Sequence, residues 1–248
     1  MEALPALWIL AATLLVAGFV KGTAGVGLPM MTLGILTFFT DPRTAFAVTL
    51  IPIFVANTLQ LYRVGGVRDA IPRYLPYILC MFVMVPLTLA LTANTSERVL
   101  LGVLGAVILL YVILNATKWA PEIPDGWDPA AQVLFGTSSG ILGGLAGIWL
   151  PPMLIYLGAR RVDKEEFVRA TGVLLFTGSI PLFFGYIREG FLTGPLALLS
   201  VGLLIPTTVG LLVGERIRRR LSEDTFRQLI MVLFALIALN MLRRAAFG

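Results

Sequence analysis

The chain has 248 residues, 58% hydrophobic and only 13% charged, with 19 Lys and Arg against 14 Asp and Glu. Soluble domains average about 25% charged residues, so this composition excludes an ordinary soluble domain. With no histidine and one cysteine, Cys80, a His/Cys metal site and an intramolecular disulfide are also excluded. The net charge of +5 calls for no nucleic-acid partner, because basic loops are what orient a membrane protein.

Apolar runs approach the ~20 residues that cross about 30 Å of hydrocarbon at 4–20, 45–62, 74–91, 99–116, 168–187, 195–213 and 226–242. They predict an all-α, polytopic membrane protein in contact with the lipid bilayer. The first run follows "MEALPALW", which holds Glu2 and no Lys or Arg. No small-residue cleavage site leads from it into a polar region, so it is expected to be retained rather than removed as a signal peptide.

Within the first apolar region, "GFVKGTAGVGLPMM" at 18–31 carries a lysine and four glycines. Both are unusual there, since a membrane lysine is costly and glycine is a poor helix former. A shift of 122 residues lays this stretch on "GILGGLAGIWLPPM" at 140–153. Gly18, Gly22, Ala24, Gly25, Leu28, Pro29 and Met31 then fall on Gly140, Gly144, Ala146, Gly147, Leu150, Pro151 and Met153. The same offset pairs Asp41 with Asp163, Thr49 with Thr171, Phe54 with Phe176 and Asn57 with Ser179. Glycine and proline carry the match, which generic apolar similarity does not produce.

The chain therefore reads as a duplication: a first repeat at 1–117, a linker rich in proline and acid at 118–129, and a second repeat at 130–248. Each repeat opens with a Gly-broken segment (4–39 and 130–157) and continues with three unbroken ones. Lys and Arg concentrate at 63–73, 159–169 and 214–227, the last including Arg216, Arg219 and Arg220. These loops all face the cytoplasm only if each Gly-broken segment turns back without a net crossing. The repeats are then inverted, with about eight membrane helices in total. Arg243 and Arg244, at a C-terminus placed outside, run against this scheme.

Inverted repeats with discontinuous helices at matching positions are a signature of secondary transporters. Unwinding is cheapest in the glycine runs at 22–27 and 143–147. Pro29 and Pro151 suit the first turn of a restarting helix, whose positive end favours an anion. Lys21 is the only Lys or Arg well inside an apolar run. It has two readings: holding a bound anion with the broken end, or capping the carbonyl end of the first half-helix and snorkelling. Its repeat mate is Gly143. The glycines also have two readings, as a substrate cavity or as small-xxx-small helix packing.

The candidate binding residues are Lys21, Gly22, Thr23, Gly25, Gly27, Asn57, Gly144, Gly147, Trp149, Thr171 and Ser179. A hydroxyl or amide at 57, 171 or 179 can donate to an oxyanion, or else serve interhelical hydrogen bonding. Thr49, Thr58, Gln60, Thr177, Ser138 and Ser139 are weaker candidates of that kind. Arg43 and Arg169 read as loop anchors or anion guides at helix entrances. No Asp or Glu lies inside an apolar run, which disfavours a carboxylate proton relay.

These residues resemble a known family. An early block of G-x-x-x-G-x-x-G-x-G-x-P type, followed by "DPRTAFAVTLIPIFVAN" and by a weaker copy about 120 residues on, is similar to the TauE/SafE sulfite exporters. The resemblance covers nearly the whole chain. It implies a cell-membrane transporter of sulfite, sulfonates or related sulfur-containing organic anions, without cofactor. The second copy departs from the first where Gly27 becomes Trp149, a ring placed to line or gate a cavity.

Other classes stay in view. A different small organic anion is the nearest, and a non-transporting membrane scaffold the next. An intramembrane hydrolase would need a nucleophile with a base. Only Ser138 or Ser139 with Lys21 offers one, so an enzyme is not expected.

Overall fold

The computed structural model describes residues 6–117, 122–218 and 223–247. Expectations for residues 1–5, for 118–121 of the linker and for Arg219 and Arg220 lie outside the described residues. Within them the chain is helical throughout: α1 (Leu7–Ala24), α2 (Leu28–Leu36), α3 (Pro42–Val64), α4 (Val67–Arg73), α5 (Leu75–Leu91), α6 (Glu97–Thr117), α7 (Asp128–Ala146), α8 (Leu150–Ala159), α9 (Lys164–Arg188), α10 (Gly194–Gly202), α11 (Leu204–Arg218) and α12 (Glu223–Phe247). Five segments are long and apolar enough to cross a membrane: Leu7–Ala24, Pro42–Val64, Glu97–Leu114, Glu165–Arg188 and Gly194–Ile217. A sixth follows if α4 and α5, bent by 77° at Tyr74, are one span. The bend falls just before Pro76, which occupies the first turn of the restarting helix.

The helices sort into two compact units, and each unit draws on both halves of the sequence. One comprises Met1–Ile53, Thr95–Val112 and Gly190–Gly248; the other comprises Phe54–Asn94 and Ile113–Glu189.

In the first unit, α1 and α11 run parallel at backbone contact. A methyl group on Gly18 would overlap the carbonyl oxygen of Thr207, and one on Gly22 that of Leu211. From the other side, methyls on Gly210 and Gly214 would overlap the carbonyls of Leu15 and Phe19. Four glycines thus build one seam, the small-residue contact by which apolar helices approach closely where no hydrophobic gain separates helix from lipid. α2 lies on α12, where a methyl on Gly34 would stand 2.6 Å from Ile237 Cγ2. Arg244 donates to the carbonyl of Thr37 at the end of α2 and pairs with Glu97 at 3.1 Å. Arg244, one of the two arginines that ran against the charge-based orientation, is therefore held by a carboxylate and a helix C-terminus.

In the second unit, α7 lies parallel along α5 in the same manner. A methyl on Gly136 would sit 2.7 Å from Tyr77 O, one on Gly140 2.6 Å from Met84 Cβ, and one on Gly144 2.8 Å from Thr88 Cβ. The described part of the linker is fastened to the end of α8. Ile123 N donates to Ala159 O, and Arg160 meets Asp125 at 2.8 Å and Asp128 at 2.9 Å.

Matching acids start the helices that follow the breaks. Asp41 accepts from the amides of Arg43 and Thr44, and Asp163 from that of Glu166. These are N-caps, each satisfying amides that the first helical turn leaves open. Asp163→Ala is therefore expected to lower stability by about 1 kcal/mol. Thermal unfolding in detergent checks this, and a binding isotherm for the same variant should stay unchanged.

Candidate functional site

The two glycine-rich segments break alike, and later than their sequence suggests. Helix continues through Gly22 and Thr23, and through Gly143 and Gly144. The breaks are three residues each, Gly25 to Gly27 and Gly147 to Trp149. Gly25 (φ 77°) and Gly147 (φ 65°) end their helices in the left-handed region, which disfavours a side chain. Their amides close on Lys21 O at 2.7 Å and Gly143 O at 2.8 Å. Pro29 and Pro151 lie in the first turns of α2 and α8, as expected.

The candidates divide between the units. Lys21, Gly22, Thr23, Gly25 and Gly27 belong to the first; Asn57, Gly144, Gly147, Trp149, Thr171 and Ser179 belong to the second. Gly22 and Gly144 face neighbouring helix backbone, where packing uses their missing side chains. Lys21 is buried, 5% exposed, in the last turn of α1.

The hydroxyls are engaged with their own helices. Thr23 donates to Phe19 O and Val20 O, Thr171 to Phe167 O and Val168 O, Thr177 to Val173 O, and Ser179 to Phe176 O. Thr49, Thr58 and Ser138 do the same. Each such hydroxyl spends its one proton on a carbonyl three or four residues back, as threonines and serines in helices commonly do. Asn57 instead reaches across, its Nδ2 donating to Leu175 O of α9 at 3.2 Å.

Trp149 fills its break. The ring is 2% exposed. A methyl on Gly143 would stand 3.0 Å from Trp149 Cε3, and one on Gly178 3.6 Å from Cε2 and 3.5 Å from Met81. Ser139 donates to the carbonyl of Trp149 at 2.9 Å, so its single proton is spent. The 2.6 Å contact between Tyr77 and Ser139 must then run from the phenol to the serine oxygen. Tyr77, Ser139 and Trp149 form a directed chain across α5, α7 and the break. That use of Ser139 gives the hydrolase pairing no support.

Two further polar clusters went unread in the sequence. Glu166 is buried and accepts from Tyr74 at 2.7 Å, with Arg73 and Arg169 each at 3.3 Å. Asp128 accepts from Tyr156 at 2.8 Å and from Gln132 at 2.9 Å, beside Arg160. The spacings of Asp128 with Gln132 and of Glu166 with Arg169 were local signals; Tyr74, Arg73, Tyr156 and Arg160 are distant in sequence from the acids they meet. Arg43 lies over the Phe191 ring, 4.7 Å from its centre, and Arg169 is held by Glu165 and Glu166.

Among the described residues, five or six apolar membrane-length helices, with two short helices restarting after glycine breaks, define a multi-pass helical membrane protein. The family model described as "Sulfite exporter TauE/SafE" matches residues 10–241. The chain belongs to that family, whose members are transporters. No curated protein and no solved structure matches it.

Proposed function

We propose that this protein moves sulfite, or a small sulfur-containing organic anion such as a sulfonate, out across the cell membrane. The observation that carries this reading is the family match over nearly the whole chain. The buried lysine beside a helix break supports an anionic cargo, because a cation in a low-dielectric site holds an anion by a charge-assisted hydrogen bond. The inside-negative potential supplies about 2.3 kcal/mol per charge per 100 mV for anion export.

Two inverted repeats, 1–117 and 130–248, joined by 118–129, form the frame in this reading. Its eight crossings are α1, α3, α5, α6, α7, α9, α11 and α12, with α2 and α8 as half-length returns. The likeness of the two breaks and the parallel seams α1–α11 and α5–α7 support the duplication.

Purified protein in proteoliposomes tests the cargo. Sulfite, sulfoacetate or thiosulfate flux should appear and should increase with an imposed potential that drives the anion outward. Failure of all three to cross would sink the reading. A second measurement tests the frame in a Cys80→Ala background, which removes the only native thiol. Cysteines at the exposed positions Arg68 and Arg161 should label from the cytoplasmic side, and one at Asn94 from the opposite side. Labelling of 68 and 161 from opposite sides would rule the inverted arrangement out.

A further inference from the structure

We infer that α4 is a strap hinged at both ends, and that the carboxylate of Glu166 on α9 is the clasp that holds it down. The inference goes beyond the transport reading and does not depend on which molecule is carried. All of its residues belong to the second unit.

The hinges come from the sequence. α4 follows Gly65 and Gly66, both in the left-handed region at φ 69° and 64°, where glycine carries no Cβ penalty. At the other end lies the 77° bend at Tyr74. Pro72 and Pro76 flank that bend. Pro76 has no N–H, so the backbone bond from residue 76 to the carbonyl of Pro72 is missing where the chain turns.

Little apolar burial holds the strap. Of its seven residues only Ala70 is buried, while Arg68, Asp69, Ile71 and Pro72 are exposed. A segment with few buried apolar contacts sits at the low end of local stability.

The holding contacts are polar, and one turn of α9 supplies most of them. Near the start of the strap Arg169 passes close in front of Gly66, where a methyl would stand 2.5 Å from its Nε. At the far end Glu166 meets Arg73 at 3.3 Å and accepts from Tyr74 at 2.7 Å. Glu166 also meets Arg169 at 3.3 Å, so one buried carboxylate ties both ends together. Gln132 of α7 adds a bond from Nε2 to the carbonyl of Arg73 at 3.0 Å. An exposed ion pair holds little, but a buried carboxylate facing a phenol and two guanidinium groups makes charge-assisted contacts. Removing its charge strands neither arginine, because Arg73 is half exposed and Arg169 keeps Glu165 at 2.9 Å. Loss of the clasp therefore frees α4 without unfolding the helices beneath it.

Thiol labelling of the detergent-purified full chain tests this. In a Cys80→Ala background, Ala70→Cys places a thiol at a position 2% exposed, so labelling there reports release of the strap. Adding Glu166→Gln, which keeps the shape and an acceptor for Tyr74 but not the charge, should raise the labelling rate at least tenfold. Glu165→Gln should leave it within about twofold, since Glu165 is exposed and pairs with Arg169. A thiol introduced by Met81→Cys, buried in α5, should stay unlabelled throughout. Arg73→Gln, which takes the strap's own cation off the same carboxylate, stands in if Glu166→Gln does not fold. Hydrogen exchange at the Ala70 and Tyr74 amides, bonded to Gly66 O and Ala70 O, reads the same release in chains without an introduced cysteine. An unchanged rate at position 70, or an equal rise at position 81, would overturn the inference and leave the transport reading untouched.

Discussion

Gly22→Leu should abolish folding of the first unit rather than merely impair transport. Even a methyl at position 22 overlaps the carbonyl of Leu211 and would come within 3.0 Å of the amide of Glu215. Both are backbone atoms of a continuous helix, so no rotamer change relieves the clash. Overpacking a core commonly costs about 1–3 kcal/mol when side chains yield, and here the obstacle is α11 itself. The seam is doubled by Gly18, Gly210 and Gly214, so α1 must separate from α11 along its length. The variant should still insert, since its hydropathy rises, but it should elute as aggregate on size exclusion in mild detergent. Gly25→Leu is the informative contrast. It faces open space but has φ 77°, so it should stay monodisperse with a lower unfolding temperature. A monodisperse Gly22→Leu of parental stability would mean that the α1–α11 seam is not as close as described.

Ser139→Ala is expected to destabilise by about 2–3 kcal/mol, far more than Ser138→Ala. The difference lies in what is left behind. Ser138 bonds only its own helix, at Leu134 O, whereas removing the Ser139 hydroxyl strands the Tyr77 phenol and the Trp149 carbonyl together in a buried site. Each unsatisfied buried group costs about 1–3 kcal/mol. Tyr77→Phe should cost less, because the serine keeps its bond to Trp149 and loses only a donor. The double variant should fall well short of the sum, since both changes break one chain. Chemical unfolding of the four proteins measures the coupling, and simple additivity would show that the three groups do not act as a unit.

The two breaks were legible because their signals are local. Glycine and proline at matching positions announce both breaks, and Asp41 and Asp163 announce the helices that follow. The sequence misplaced the start of unwinding by about one turn. A glycine that opens a helix and one that lets another helix approach look the same until the neighbour is known: Gly22 meets α11, and Gly144 meets α5. The long run at 195–213 likewise hid the division of α10 from α11 at Leu203. The membrane hydroxyls were unreadable for a related reason, because a threonine can always reach the carbonyl of its preceding turn, and hydropathy does not say whether it will. The Glu166 and Asp128 clusters also join residues far apart in sequence, Tyr74 to Glu166 and Tyr156 to Asp128, which no periodic pattern shows. Trp149 was visible as the departure between the repeats; that its ring packs between Gly143 and Gly178 was not.

The exchange of helices between the two halves also sets an order of assembly during synthesis. α5 and α7 meet across a short stretch of chain, Val85 to Gly144, which a ribosome making about 5–20 residues per second completes within roughly 3–12 s. Gly18 waits for Thr207, far later, for roughly 10–40 s at the same rate. During that interval α1 sits in the bilayer with a bare glycine seam and a lysine near its end, and nothing from its own half supplies the partner it needs. The second unit has all of its segments once residue 189 is made, and the first requires the last stretch of the chain. Nascent chains halted near residue 190 should therefore protect the α5–α7 seam from proteolysis or thiol reagents while leaving α1 open to insertion factors, lipids or a chaperone.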